Sequence, residues 1–165
     1  MTRLLITGGS GFIGSHTCLV LLNAGFDLLI IDSFVNSTPI SLNRIAELAS
    51  IAIPNQTDRL QYIEGDIRNI AFLRNIFEKA IREGKRIEGV IHFAGLKSVS
   101  ESVLMPLKYW DVNVNGSRTL LKVMDENECQ TIVFSSSATI YGSPDDTPVF
   151  ENALIKPINP YGHTK

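Results

Sequence analysis

The chain has 165 residues, 44% of them hydrophobic, enough for one core of ordinary domain size. Its formal charge of −2 and pI near 5.9 argue against a nucleic-acid partner, which needs a basic face. No stretch reaches the roughly 18 apolar residues that span a bilayer, and "MTRLLITGG" lacks the marks of a signal peptide.

In chain order, apolar runs rich in β-branched residues occur at 3–7 (RLLIT), 27–31 (DLLII), 60–64 (LQYIE), 89–93 (GVIHF) and 131–135 (TIVFS). Apolar on both faces, they read as buried strands of a parallel sheet. Helical patterns separate them, at 12–25, about 39–50, 69–83, a shorter piece near 99–107, and 110–128. The alternation predicts an α/β fold, a doubly wound Rossmann-like parallel sheet of order 3-2-1-4-5 with right-handed crossovers. After residue 142 a Pro-rich stretch without periodicity runs to the final "INPYGHTK". Cys18 and Cys129 fall in helix-like segments and read as reduced packing residues of a cytoplasmic protein. His16, His92 and His163 have no metal-ligand spacing, so no metal site is expected.

"LLITGGSGFIGSH" places Gly8, Gly11 and Gly14 between the first strand and the first helix. Gly8 permits a tight turn, Gly11 lets backbone amides approach a pyrophosphate, and Gly14 lets helix and strand pack closely. The helix N-terminus adds unpaired N–H groups and a positive dipole end. Asp32 ends the second run, where a carboxylate accepts from both ribose hydroxyls of an adenosine and repels a 2′-phosphate. "SFVNS" follows without an arginine, which favours NAD over NADP.

Ligands of an open parallel sheet gather at the carboxyl ends of its strands. Those ends also carry Asp66 and Ile67, Phe93 to Lys97, and the serines of "SSSAT". Asp66 is placed to receive an adenine amino group. Asn159 and Pro160 read as an N-cap and first helical position, so Tyr161 and Lys165 lie one turn apart on one helix face. Free tyrosine titrates near ~10, too high for a base at neutral pH, and a neighbouring ammonium favours the phenolate. Ser137 is aimed at the same place, to hold a substrate oxygen and share its proton.

The chain resembles the extended short-chain dehydrogenase/reductases, and among them the UDP-glucose (UDP-galactose) 4-epimerases. The likeness is carried by "ITGGSGFIGSH", "EGDIRN", "VIHFAGLKSVSESV", "NVNGS", "FSSSATIYG" and "NPYGHTK". It implies Ser137, Tyr161 and Lys165 as the catalytic set, with Lys97, Ser137 and Tyr161 towards the sugar. It implies NAD contacts at Phe12, Ile13, Asp32, Ser33, Phe34, Val35, Asn36, Ser37, Asp66, Ile67, Phe93, Ala94, Gly95, Leu96 and Lys97, and again at Tyr161 and Lys165.

The implied reaction interconverts UDP-glucose and UDP-galactose. Tyr161 deprotonates the sugar 4-hydroxyl, C4 gives its hydride to NAD, and the keto sugar swings before the hydride returns to its other face. Nucleotide-sugar 4,6-dehydratases carry an Asp–Glu pair where this chain has Ala138 and Thr139, which disfavours dehydration. The resemblance also implies a homodimer, and a further substrate-gripping domain beyond Lys165. Residues 1–165 are therefore expected to be an NAD-binding Rossmann domain cut short of its substrate domain, inactive alone. Another NAD-dependent nucleotide-sugar epimerase or reductase, and a non-catalytic NAD-binding module, are the alternatives.

Overall fold

The computed structural model describes residues 2–51, 55, 59–144 and 147–165. Five strands, β1 (Arg3–Thr7), β2 (Asp27–Asp32), β3 (Leu60–Glu64), β4 (Ile87–His92) and β5 (Ile132–Phe134), form one sheet of order β3-β2-β1-β4-β5. Every neighbouring pair is parallel. Both the predicted strand order and the predicted runs are present, with ends moved by a residue or two. Successive residues of a strand point to opposite faces. Accordingly Leu5, Leu29 and Ile31 enter one core layer, while Ile6, Leu28 and Ile30 enter the other. This double burial is why the central runs carry no polar alternation. It fails at β5, where Val133 is 58% exposed, so the expectation of a strand buried on both faces is corrected there.

Helices α1 (Phe12–Asn23) and α2 (Ile40–Leu48) cover one face; α3 (Ile70–Arg82) and α6 (Gly116–Glu126) cover the other. Asn69 caps α3 by accepting from the Phe72 amide. The short piece near 99–107 is two helices, α4 (Val99–Leu104) and α5 (Pro106–Tyr109), broken at Met105, which precedes a proline and leaves helical geometry. The single helix expected over 110–128 is not one either. A π-helical turn, Trp110–Asn115, leads into α6. Cys129 lies beyond α6 rather than within a helix; both cysteines are free and buried.

A 3-10 turn, Ala138–Tyr141, and the one-turn helix α7, Pro160–His163, complete the described elements. Of the Pro-rich stretch, residues 145 and 146 lie outside the described residues. No helix among the described residues is long and apolar enough to cross a membrane. Backbone bonds extend the sheet past its strand ends, from Gly8 to Ile31, Gly65 to Asp32, Phe93 to Thr7 and Ser135 to His92. These bonds hold the loops after the strands in one row, where the site is built.

Candidate active site

A cleft of about 640 Å³ runs along that row, lined from all five strand tips. Its floor is the glycine turn. Gly8 has φ +70°, and a Cβ there would fall 2.6 Å from the Ala94 amide nitrogen, so no side chain fits. Gly11 precedes α1 without a side-chain cap, leaving the amides of the first turn to face a ligand. A Cβ on Gly14 would lie 2.4 Å from the Gly8 carbonyl oxygen and 2.9 Å from the Gly9 Cα. The close approach needed at Gly14 is thus to the glycine turn, not to the strand as expected. Phe12 and Ile13, 76% and 61% exposed, rise as walls of the cleft.

Asp32 sits at the tip of β2 as foreseen, lining the cleft, but its carboxylate is not open. One oxygen accepts from the Ser10 amide (3.1 Å) and hydroxyl (2.5 Å); the other accepts from the Phe34 amide (3.0 Å) and the Ser37 hydroxyl (2.9 Å). Those four bonds fill the four acceptor positions of a carboxylate. A ribose would have to displace a serine hydroxyl. Ser33, Val35 and Asn36 line the cleft, whereas Phe34 and Ser37 do not. Phe34 turns its ring edge-on to Tyr62, 5.9 Å away, and Ser37 serves Asp32.

Asp66 and Ile67 line the same end. The Arg68 guanidinium chelates both oxygens of Asp66 and reaches Asp111 at 2.5 Å, while the Arg68 amide also donates to Asp66. This pairing holds the Asp66 carboxyl below the usual carboxylate range and raises Arg68. The free acceptor foreseen for an adenine amine is therefore already occupied by a guanidinium.

At the other end Phe93, Ala94, Gly95, Leu96 and Lys97 line the cleft. Their loop is clamped by Asn113, buried in the π-helical turn. Its amide oxygen accepts from the Leu96 nitrogen (2.7 Å), and its nitrogen donates to the Leu96 carbonyl (3.0 Å) and the Thr164 hydroxyl (2.9 Å). Ser137 lines the cleft with Ser135 and Ser136, its oxygen accepting from the Thr139 amide and hydroxyl. Asn159 caps α7 through the Gly162 amide, as its sequence position implies.

Tyr161 is buried on α7, its amide donating to the Ser102 hydroxyl and its ring edge-to-face with Tyr109 at 6.4 Å. Lys165 follows just past the helix. Its ammonium donates to the Ser135 carbonyl (2.9 Å) and lies 5.0 Å over the Phe134 ring; burial holds it below the ordinary lysine value. Ser137, Tyr161 and Lys165 all line the cleft.

Asn113, Ser10 and Arg68 were missed in the sequence. Asn113 left a legible sign, because it shares a buried stripe with Gly116, Leu120 and Val123. Ser10 and Arg68 left none, since a loop serine and a surface arginine are ordinary.

A family model described as GDP-mannose 4,6 dehydratase matches residues 5–165. The chain is 44% identical over 163 residues to a bifunctional UDP-glucose 4-epimerase and UDP-xylose 4-epimerase of Pisum sativum, covering 99% of this chain and 44% of the relative. A UDP-glucose 4-epimerase of Oryza sativa subsp. japonica is also 44% identical, over 98% of this chain and 41% of its own length. The chain therefore spans less than half the length of these curated relatives. Among solved structures, the epimerase of Stenotrophomonas maltophila with bound NAD and formylated UDP-arabinopyranose superposes with TM-score 0.89 at 38% identity, covering 100% of this chain and 46% of that one. The Bifidobacterium longum epimerase with NAD+ and UDP gives TM-score 0.87 at 39% identity, covering 99% and 46%.

Proposed function

The chain belongs to the family described as GDP-mannose 4,6 dehydratase, and from that premise we propose that residues 1–165 form the NAD-binding unit of a UDP-glucose 4-epimerase. The observation that carries the reading is a single cleft joining the glycine turn, Asp32, Ser137, Tyr161 and Lys165. Gly8, where a Cβ would strike Ala94, leaves a cradle of backbone for a pyrophosphate. The dinucleotide would lie from Asp32 and Asp66 across the turn to the Phe93–Lys97 loop.

Bound NAD would supply a reversible hydride acceptor for sugar C4. Tyr161 takes the proton of the 4-hydroxyl and returns it, with Lys165 holding positive charge in the same cleft. Ser137 steadies the reacting oxygen, and Lys97, exposed at the rim, meets the anionic substrate. The family name admits dehydration, but the residues after Ser137 are Ala138 and Thr139. Among the described lining residues the carboxylates are Asp32 and Asp66, both at the nucleotide end. Among the described residues that line the cleft, no acid other than these two is placed to expel water, which favours epimerisation.

UDP-glucose and UDP-galactose are the proposed substrates, and a homodimer in the cytoplasm the proposed setting. Leu104 and Leu107, each 83% exposed on neighbouring helices, support a partner there. Titration calorimetry with NAD and NADP tests the reading: NAD is expected to bind at least about tenfold more tightly. Equal affinities, or none for NAD, overturn it. Conversion of UDP-galactose to UDP-glucose that survives Tyr161→Phe overturns the role of the phenol.

A further inference from the structure

Beneath the cleft lies a buried imidazole to which the chemistry above gives no part. His92, 1% exposed at the end of β4, bonds through both ring nitrogens. The Thr7 hydroxyl lies 2.5 Å from Nδ1, and the Ser117 hydroxyl 2.8 Å from Nε2. Each hydroxyl has a second partner that fixes its direction. Thr7 Oγ1 accepts from the Ala94 amide (3.3 Å), and Ser117 Oγ donates to the Asn113 carbonyl (2.5 Å). A hydroxyl has one proton to give. Ser117 spends its proton on Asn113, so Nε2 must be the N–H. Thr7 already receives one, so its own proton goes to Nδ1. The opposite tautomer would aim two donors at Thr7 and leave its proton unspent.

We propose that His92, as the Nε2–H tautomer, is a positioning residue of the nucleotide cleft. It carries one directed chain of hydrogen bonds from the Ala94 amide through Thr7, the imidazole and Ser117 to the Asn113 carbonyl. Both ends of that chain are attached to the site. Thr7 precedes the Gly8 turn, and Ala94 lies against that turn within 2.6 Å of an imagined Gly8 Cβ. Asn113 clamps Leu96 and Thr164, the residue before Lys165. The chain therefore ties the pyrophosphate turn, the 93–97 loop and the catalytic end to one register. Burial, and secondarily the Lys165 charge, pushes the imidazole down to about 4, so the ring stays neutral and keeps this polarity near neutral pH.

The inference rests on the nucleotide reading of the cleft, and two measurements on the whole chain keep their failures apart. The first is the tautomer, read from the ring nitrogen shifts of 15N-labelled protein near neutral pH. A bare Nδ1 and a protonated Nε2 are expected; the Nδ1–H form or an imidazolium overturns the inference while NAD binding stands. The second compares Thr7→Val, which keeps the shape and loses the hydroxyl, with Thr7→Ser, which keeps the hydroxyl and loses a methyl. The relay predicts NAD binding about tenfold weaker in Thr7→Val and near wild type in Thr7→Ser. A role in packing alone predicts the reverse order, and that result overturns the proposal. If the unaltered chain binds no NAD, the nucleotide reading fails, and exchange of the Ala94 amide decides the relay. Faster exchange in Thr7→Val than in Thr7→Ser supports it; equal rates overturn it.

Discussion

Lowering the pH through the range where a free imidazole titrates should cost this protein stability through His92. Buried and facing the Lys165 ammonium, the ring is held at about 4 against an ordinary 6.5. In the unfolded chain it protonates below 6.5; in the native chain it resists until about 4. The unfolded state thus binds more protons across that window, and stability present above 6.5 is lost as pH falls towards about 4. At 1.36 kcal/mol per pKa unit, the loss between about pH 7.5 and pH 4.5 is about 2.5 kcal/mol. That is a large part of the roughly 5–15 kcal/mol that holds an ordinary domain.

The carboxyls held low by their cationic partners, Asp66, Asp111, Glu101 and Glu126, act below their ordinary values of 3.8 to 4.5, so they leave most of the window to His92. Lys165, held down by burial, acts at the alkaline end. Urea unfolding of wild type and His92→Gln across these pH values is the assay. The variant starts less stable and should show a slope shallower by about 2 kcal/mol over the window. Parallel curves would refute a buried neutral imidazole as the source.

Gly14→Ala would put a methyl 2.4 Å from the Gly8 carbonyl oxygen, a backbone atom that cannot swing aside. A loss of about 1–3 kcal/mol in urea unfolding is expected, with weaker NAD binding by calorimetry. Asp32→Asn leaves the Ser10 and Ser37 donors facing an amide. NAD affinity is expected to fall by less than about tenfold, and its margin over NADP to shrink, in the same titration. Tyr109→Phe removes the hydroxyl that accepts from the Ser98 amide and donates to Glu101. A destabilisation of about 1–2 kcal/mol is expected from urea midpoints.

What the sequence disclosed and what it hid divide along a physical line. Strand order and core were legible because both faces of β1, β2 and β4 are apolar, and a doubly wound sheet needs such runs. The glycine turn, Asp32 and the Asn159–Pro160 start of α7 were legible because each is fixed by backbone chemistry within a few residues. The π-helical turn was not. Its backbone departs from the α form at Trp110–Asn115, where side-chain periodicity alone shows an ordinary helix.

The same distinction explains why Asp32 and Asp66 were read as open acceptors. Position follows from strand ends, but occupancy depends on partners: Ser10, 22 residues from Asp32 in sequence, and an Arg68 that turns back on Asp66 while bridging to Asp111. In this cleft the acidic groups that should select the nucleotide are already bonded by the protein. On the proposed nucleotide reading, ribose recognition at Asp32 is an exchange, a ribose hydroxyl for a serine hydroxyl, rather than the filling of a bare site. Its net gain is the difference between two similar hydrogen bonds, which is small. Affinity must therefore come chiefly from the backbone cradle around Gly8, and that is the part that the Thr7–His92–Ser117 chain holds in register.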